Sequence, residues 1–196
     1  LLNDWYPNIE NRCTYTINTN LDKTFKTVHE NMTEDFPSIS FVASQKFVVN
    51  TTTYNNIRIE TYFLNNNEKL SKKYLDKSIK YIKLFEDRIG KYPYDSFKIV
   101  ENIYQTGYSM PGYTLIGSSL LSKDYILNQS LSHEILHQYF GISISNEKGY
   151  GNWTEGMTTY LGDDYLKKLR KSDTSNRKSQ RKEVFVMHAD GSKCLR

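Results

Sequence analysis

The sequence is poor in the features that define a membrane protein or a disulfide-stabilised one. No stretch approaches the roughly 18 consecutive apolar residues of a membrane-spanning helix. There are only two cysteines, Cys13 and Cys194, so at most one disulfide can form, and two free thiols fit the sequence equally well. The composition, with 38% hydrophobic and 24% charged residues, is that of a globular protein. A chain of 196 residues suffices for one substantial domain or two small ones.

The beginning of the chain also lacks the marks of a targeting segment. Residues Leu1 to Pro7 have neither the basic start nor the apolar core of a signal peptide, and there is no initiator methionine. We therefore expect a processed product or a piece of a longer protein. The cellular compartment stays open.

Acidic residues are nearly absent from one strongly basic stretch. Residues 167–182 contain eight Lys and Arg side chains and a single acid, Asp173, within a chain of net charge +4. Such stretches bind nucleic acid or anionic lipid, but here no aromatic residue is interleaved to stack on bases. We expect a solvated basic tail over residues 171–196 and no nucleic-acid partner, with lipid or nucleic-acid binding by this tail as an alternative.

The hydrophobic period changes near residue 65. Ile57–Phe63 alternates apolar with polar side chains over most of its length, which predicts a half-buried strand, and we assign residues 1–64 to a β-sheet module. Beyond it, apolar residues recur every three or four positions and predict an amphipathic helix with Ser71 as its N-cap. Further helices are predicted over 124–140 and 154–170, so the fold class is α+β, with a second unit over 65–170.

The second of these helices carries the sequence His133-Glu134-Ile135-Leu136-His137. Residues four apart share one face of a helix, so both imidazoles can reach a single ion. Glu134 lies one residue along, where its carboxylate can reach a zinc-activated water without being a ligand. The pattern also fits two exposed histidines that bind nothing.

A catalytic zinc site needs a third protein ligand and an open position. Glu155 lies in the first turn of the next predicted helix and would complete a His–His–Glu set. A carboxylate is also favoured there by the positive end of the helix, without any metal.

The residues from His133 to Gly141, together with those from Asn152 to Tyr160, resemble the active-site signature of the aminopeptidase-N-like gluzincins. That resemblance implies the C-terminal part of a β-sandwich domain followed by a partial thermolysin-like zinc-peptidase domain. It also implies one Zn²⁺ per chain, with His133, His137 and Glu155 as ligands and Glu134 as catalytic base.

The same family resemblance assigns a substrate-clamping loop to the segment before the second helix. Its residues would pair with a peptide or protein substrate as an added strand: Gly107, Tyr108, Ser109, Met110, Pro111 and Gly112. Without the family, the segment is a Gly/Pro turn before a strand. The preferred peptide, the choice between exo- and endopeptidase, and the oligomeric state are not predicted.

Three departures from that family affect the expected activity. Seventeen residues separate His137 from Glu155, one fewer than the commonest family spacing. The clamp segment has no glutamate to hold a free substrate amine, and no tyrosine follows Arg170 to stabilise an oxyanion. Losing one oxyanion donor costs about 10²–10³ in rate. We expect a zinc metallopeptidase, and the alternative is a catalytically weak or silent zinc-binding fragment that acts as a peptide-binding or structural module.

Overall fold

The computed structural model describes residues 16–29, 39–104, 107–144, 151–165, 185–187 and 193–195. Cys13 and the basic stretch 167–182 lie outside these residues. The described part contains three α-helices and nine strands, with two π-helical segments. The strands are β1 (Lys26–Val28), β2 (Val42–Ser44), β3 (Val48–Tyr54), β4 (Ile57–Phe63), β5 (Ser96–Asn102), β6 (Gly107–Met110), β7 (Tyr113–Gly117), β8 (Phe185–Met187) and β9 (Lys193–Leu195).

A mixed five-stranded sheet forms the centre of the fold. Its strand order is β3-β4-β5-β7-β6. The three central strands β4, β5 and β7 are parallel to one another. The outer pairs, β3–β4 and β6–β7, are antiparallel hairpins. This order places β6 at one edge of the sheet, and β6 also contacts the helix that carries His133 and His137.

Helix α1 (Glu68–Glu86) connects the parallel strands β4 and β5. Parallel strands need such a crossover because a tight turn cannot reverse the chain direction twice. The helix begins after Asn67, whose side chain accepts a hydrogen bond from Leu70 N at 3.1 Å. The expectation that Ser71 is the N-cap was wrong: Ser71 lies inside the helix, is buried, and is hydrogen-bonded to Thr61 of β4.

Apolar side chains cover both faces of the sheet. On one face α1 and the histidine-bearing helix pack against β4, β5 and β7, with Tyr74, Ile82, Ile99 and Ile135 fully buried at their contact. On the other face Val28 of β1 joins a smaller cluster with Val100, Met110, Tyr113 and Leu115. The sheet is therefore the common wall of two apolar layers.

Two helical segments follow the sheet. A π-helical turn (Ile126–Ser130) leads into α2 (Leu131–His137), and α3 (Trp153–Thr159) continues as a second π-helical segment (Tyr160–Tyr165). None of the helices in the described residues is both long and apolar enough to span a membrane.

The predicted α+β class, with a mixed sheet and helices, is confirmed. The predicted boundary between residues 64 and 65 falls between β4 and α1, and the strands on its two sides are hydrogen-bonded in one sheet. The division into segments 1–64, 65–170 and 171–196 stays a prediction. Near the end of the chain, β8 pairs with β9 in a separate antiparallel hairpin.

Candidate metal centre

Helix α2 is anchored by its apolar side. Leu131, Ile135 and Leu136 are fully buried against the core. Because side chains on a helix repeat every 3.6 residues, His133 and His137 lie together on a face that is only half-buried. The apolar residues thus fix the orientation of the helix, and its orientation fixes where the imidazoles point.

The turn at the end of α2 lies beside the start of α3. Gly141 has φ 106°, a conformation that L side chains rarely adopt. A Cβ built on Gly141 would lie 3.5 Å from His137 Nδ1 and 3.6 Å from Thr154 Oγ1, so the turn lies against both helices. The rings of Phe140 and Trp153 meet edge to face across it, with centroids 6.2 Å apart. These contacts hold the first turn of α3 next to the end of α2.

Three ligand-type side chains converge at this point. Nε2 of His133 and Nε2 of His137 are 3.1 Å apart. Glu155 Oε2 lies 3.3 Å from His133 Nε2, and Glu155 Oε1 lies 3.2 Å from His137 Nε2. The structure therefore brings together the three residues that the sequence singled out as metal ligands, and their geometry could hold a metal ion.

The distances among these atoms fit zinc. Ligand atoms bound tetrahedrally to zinc at about 2.0–2.1 Å lie about 3.3 Å from one another. The Nε2–Nε2 separation of 3.1 Å is near that value, as are the shortest approaches of the Glu155 carboxylate to each imidazole, 3.3 Å from Oε2 and 3.2 Å from Oε1. Two nitrogens and a carboxylate oxygen are also the donor set that zinc takes in catalytic sites.

A backbone contact orients one of the imidazoles. His137 Nδ1 lies 3.1 Å from the carbonyl oxygen of Phe140, which can only accept, so Nδ1 is the protonated donor. In the neutral ring Nε2 then carries a lone pair, and this lone pair faces the carboxylate of Glu155. With Nδ1 as the donor, His137 Nε2 is the nitrogen that could bind a metal ion.

Glu134 is held on the side of the helix that faces β6. Ser109 Oγ lies 2.5 Å from Glu134 Oε2, its donor contact to the carboxylate, and 3.1 Å from the Glu134 backbone carbonyl. Glu134 Oε1 faces Gly107, where an added Cβ would lie 3.3 Å from it. The side chain of Glu134 is thus fixed by one strand residue and approached closely by another.

The six predicted substrate-binding residues fall into two groups. Gly107 and Tyr108 are exposed and Ser109 is half-buried beside Glu134. Met110, Pro111 and Gly112 are buried at the turn into β7, where the Gly112 N–H donates to Gln138 Oε1 at 2.9 Å. Only the first group therefore offers surface next to the metal-ligand cluster, and the second ties the turn to α2.

A cavity of about 230 Å³ adjoins Glu134. It is lined by Gly107, Ile116, Leu120, Ile126, Ser130 and Glu134. Three aliphatic side chains make it a mostly apolar recess, with the Ser130 residue and the Glu134 carboxylate at its wall.

Sequence reasoning missed three contacts of this centre. They are the Ser109–Glu134 hydrogen bond, the Phe140 carbonyl that orients His137, and the approach of Gly162 to α2. The first and third join residues more than twenty positions apart, which no local pattern reveals. The second follows from the turn at Gly141, and the glycine at the end of the predicted helix was its available signal.

The fold and this cluster define an α+β unit with a helix-borne His–His–Glu group. A structure of the same fold is that of native yeast LTA4 hydrolase, which matches with a TM-score of 0.50 and 16% sequence identity over 74% of this chain. The match covers 25% of that chain, so this protein spans about a quarter of the yeast hydrolase's length. The match confirms the fold that the sequence resemblance implied, and the structure brings together the predicted His–His–Glu group, which could hold a metal ion.

Comparisons at the level of sequence give no further relative. No protein-family model matches the chain, and no curated protein matches it.

Proposed function

We propose that this chain is a zinc-dependent peptidase unit in which His133, His137 and Glu155 hold the metal and Glu134 is the catalytic base. The observation that carries the proposal is the mutual spacing of 3.1–3.3 Å among the three ligand groups. The fold shared with a yeast hydrolase supports it. When bound, zinc supplies Lewis-acid polarisation of the scissile carbonyl and acidifies water to a pKa of about 7.

Glu134 performs the proton transfers. Ser109 occupies Oε2, which leaves Oε1 to accept the proton of the attacking water. The water oxygen bonds to the carbonyl carbon, the C–N bond breaks, and Glu134 returns the proton to the leaving amine nitrogen. A fixed carboxylate needs no reorientation between these two transfers.

β6 orients the peptide. It is an edge strand of the sheet, and in the described part of the chain no strand pairs with its outer side. An extended peptide can add to such an edge through main-chain hydrogen bonds. Gly107 has no side chain between that edge and Glu134 Oε1, so a bound peptide backbone can reach the carboxylate.

The apolar cavity beside Glu134 accepts a substrate side chain. Ile116, Leu120 and Ile126 line it, so an aliphatic group gains more by entering than a charged one. We therefore propose peptides with a Leu or Met side chain next to the scissile bond as the preferred substrates.

A panel of fluorogenic peptides tests the proposal. We expect Glu134→Gln to lower the rate by about 10²–10⁴-fold and to leave the zinc content near that of the wild type, because Glu134 is not a ligand. Glu68→Gln is the matched control, since Glu68 also lies in the first turn of a helix, far from the cluster in sequence. A chelator should abolish hydrolysis in both the wild type and the control.

Two results would count against the proposal. Hydrolysis by Glu134→Gln at the wild-type rate would remove the base assignment. A wild-type chain that binds zinc and hydrolyses no peptide would instead support the alternative of a catalytically silent zinc-binding module.

A further inference from the structure

Helix α2 and the segment that follows α3 touch at one glycine. Gly162 is buried, and a Cβ built on it would lie 3.2 Å from His133 Cα and 3.3 Å from His133 N. The same Cβ would lie 3.2 Å from Leu136 Cδ1. The Leu136 tip can rotate away, but the His133 backbone cannot move without the helix.

A hydrogen bond spans the same contact. Ser132, which is fully buried, has its Oγ 2.6 Å from the Gln129 carbonyl and 3.2 Å from the Gly162 carbonyl. The one hydroxyl proton of Ser132 is shared between these two carbonyl oxygens, one on its own helical segment and one on the segment of Gly162. The close packing on His133 and Leu136 and the hydrogen bond from Ser132 therefore both hold Gly162 against α2.

Gly162 lies on the helical segment that carries Glu155. Glu155 and Gly162 are seven positions apart, about two turns of that segment, so they lie towards the same side of it. His133 is contacted at both ends, its imidazole by Glu155 and its backbone by Gly162. The packing of Gly162 on the His133 backbone thus constrains how closely Glu155 approaches the His133 imidazole.

The distances show how little room there is. Carbon atoms pack at about 3.5–4.0 Å, so a Cβ at Gly162 would push the two segments apart by about 0.3 Å or more. Metal–ligand distances in real sites stay within about 0.2 Å of their ideal values. A methyl group at Gly162 would therefore shift the segment that carries Glu155 relative to His133 by an amount comparable with that range.

From this geometry we infer that Gly162 is a positioning residue of the metal centre. Its missing side chain lets the Glu155 helix approach α2 closely enough for Glu155 and His133 to share one ion. The inference rests on the proposed zinc site.

The test compares two alanine substitutions in one helical segment. An added Cβ at Gly156 meets nothing within 4 Å, whereas one at Gly162 meets the His133 backbone. Alanine favours helix at both positions, so the difference between the variants isolates the contact. We expect Gly162→Ala to weaken zinc binding, measured by titration of the metal-free protein, by about 10-fold or more, and Gly156→Ala to bind zinc as the wild type does.

Cobalt substitution gives a second readout. The visible absorption of bound Co²⁺ depends on its coordination geometry, so Gly162→Ala should differ from the wild type and Gly156→Ala should not. Circular dichroism of each metal-free protein shows whether it is folded. If Gly162→Ala does not fold, Ser132→Ala replaces it, because this variant removes only the hydroxyl at the contact; we then expect a several-fold loss of zinc affinity.

The outcomes separate this inference from the proposed function. Tight zinc binding by the wild type, with Gly162→Ala folded and equal to Gly156→Ala in affinity and Co²⁺ spectrum, would overturn the role of Gly162 alone. With Ser132→Ala as the substitute, unchanged affinity would do the same. A wild-type chain that binds no zinc would overturn the zinc site and this inference together.

Discussion

One serine hydroxyl limits the freedom of the proposed base. Glu134 would otherwise rotate about its side-chain bonds on a half-buried helix face, and Ser109 holds one of its oxygens at 2.5 Å. A hydrogen bond to a charged group contributes about 1.5–3 kcal/mol. The hydroxyl is donated from a strand, so the position of the base depends on the sheet as well as on its own helix.

Removing that hydroxyl should slow turnover selectively. We expect Ser109→Ala to lower kcat by about tenfold, the rate equivalent of about 1.4 kcal/mol, with little change in KM or zinc content. Ser109→Thr keeps the hydroxyl and should recover most of the rate. Steady-state kinetics on the preferred peptide measure this, with Ser122→Ala, at an exposed serine, as control. An equal fall for Thr and Ala would mean that the hydroxyl does not act on Glu134.

The three candidate metal ligands could be predicted from the sequence for different reasons. His133 and His137 are four apart on one helix, so local geometry alone places them together. Glu155 reaches the two histidines because of the turn at Gly141 and the packing of Phe140 on Trp153. The spacing of Glu155 from His137 in the sequence does not by itself establish these contacts. The Ser109 contact to Glu134 is created by the tertiary fold, and no local pattern could have predicted it.

At the scale of elements, α1 ties the sheet to the region before α2. Tyr74, fully buried on α1, donates its hydroxyl to the Leu121 carbonyl at 2.9 Å. Burial raises the pKa of Tyr74 above its ordinary value of 10.0. The neutral phenol is therefore the form that the folded protein keeps.

Deleting this hydroxyl should destabilise the fold. Tyr74→Phe leaves the Leu121 carbonyl unsatisfied, and we expect the free energy of unfolding to fall by about 1–2 kcal/mol at neutral pH. Because the folded pKa exceeds the unfolded one, the hydroxyl contributes stability below pH 10.0 and loses it as pH rises further. Urea denaturation at pH 7 and above pH 10 measures both effects.

Tyr125→Phe, at an exposed tyrosine, is the control for this change. A Tyr74→Phe protein as stable as the control at pH 7 would contradict the role of the hydrogen bond.

The borders of the elements were predicted with uneven success. The alternating pattern of Ile57–Phe63 gave the limits of β4 as they are found. The cap of α1 was misplaced by four residues, because Asn67 and Ser71 are both common N-cap types and only tertiary packing sends Ser71 into the core against Thr61.

At the scale of the whole molecule, one sheet and two apolar layers hold the candidate site. The sheet order, with β6 at the edge beside α2, could not be read from the sequence, because the pairing of β5 with both β4 and β7 joins distant segments. The α+β class followed from the change of hydrophobic period alone. The architecture thus adds what the motif lacks: an open edge strand, to which we propose that a peptide pairs, and a cavity next to Glu134.

The central claim is that this architecture assembles a zinc site from two helices. Titration of the metal-free chain with zinc tests it most directly, on the wild type, on Glu155→Gln and on the control Glu68→Gln. We expect one zinc per chain for the wild type and the control, and an affinity lower by about 10-fold or more for Glu155→Gln, because a neutral amide replaces a carboxylate ligand. A wild type without bound zinc, or a Glu155→Gln protein with wild-type affinity, would contradict the claim.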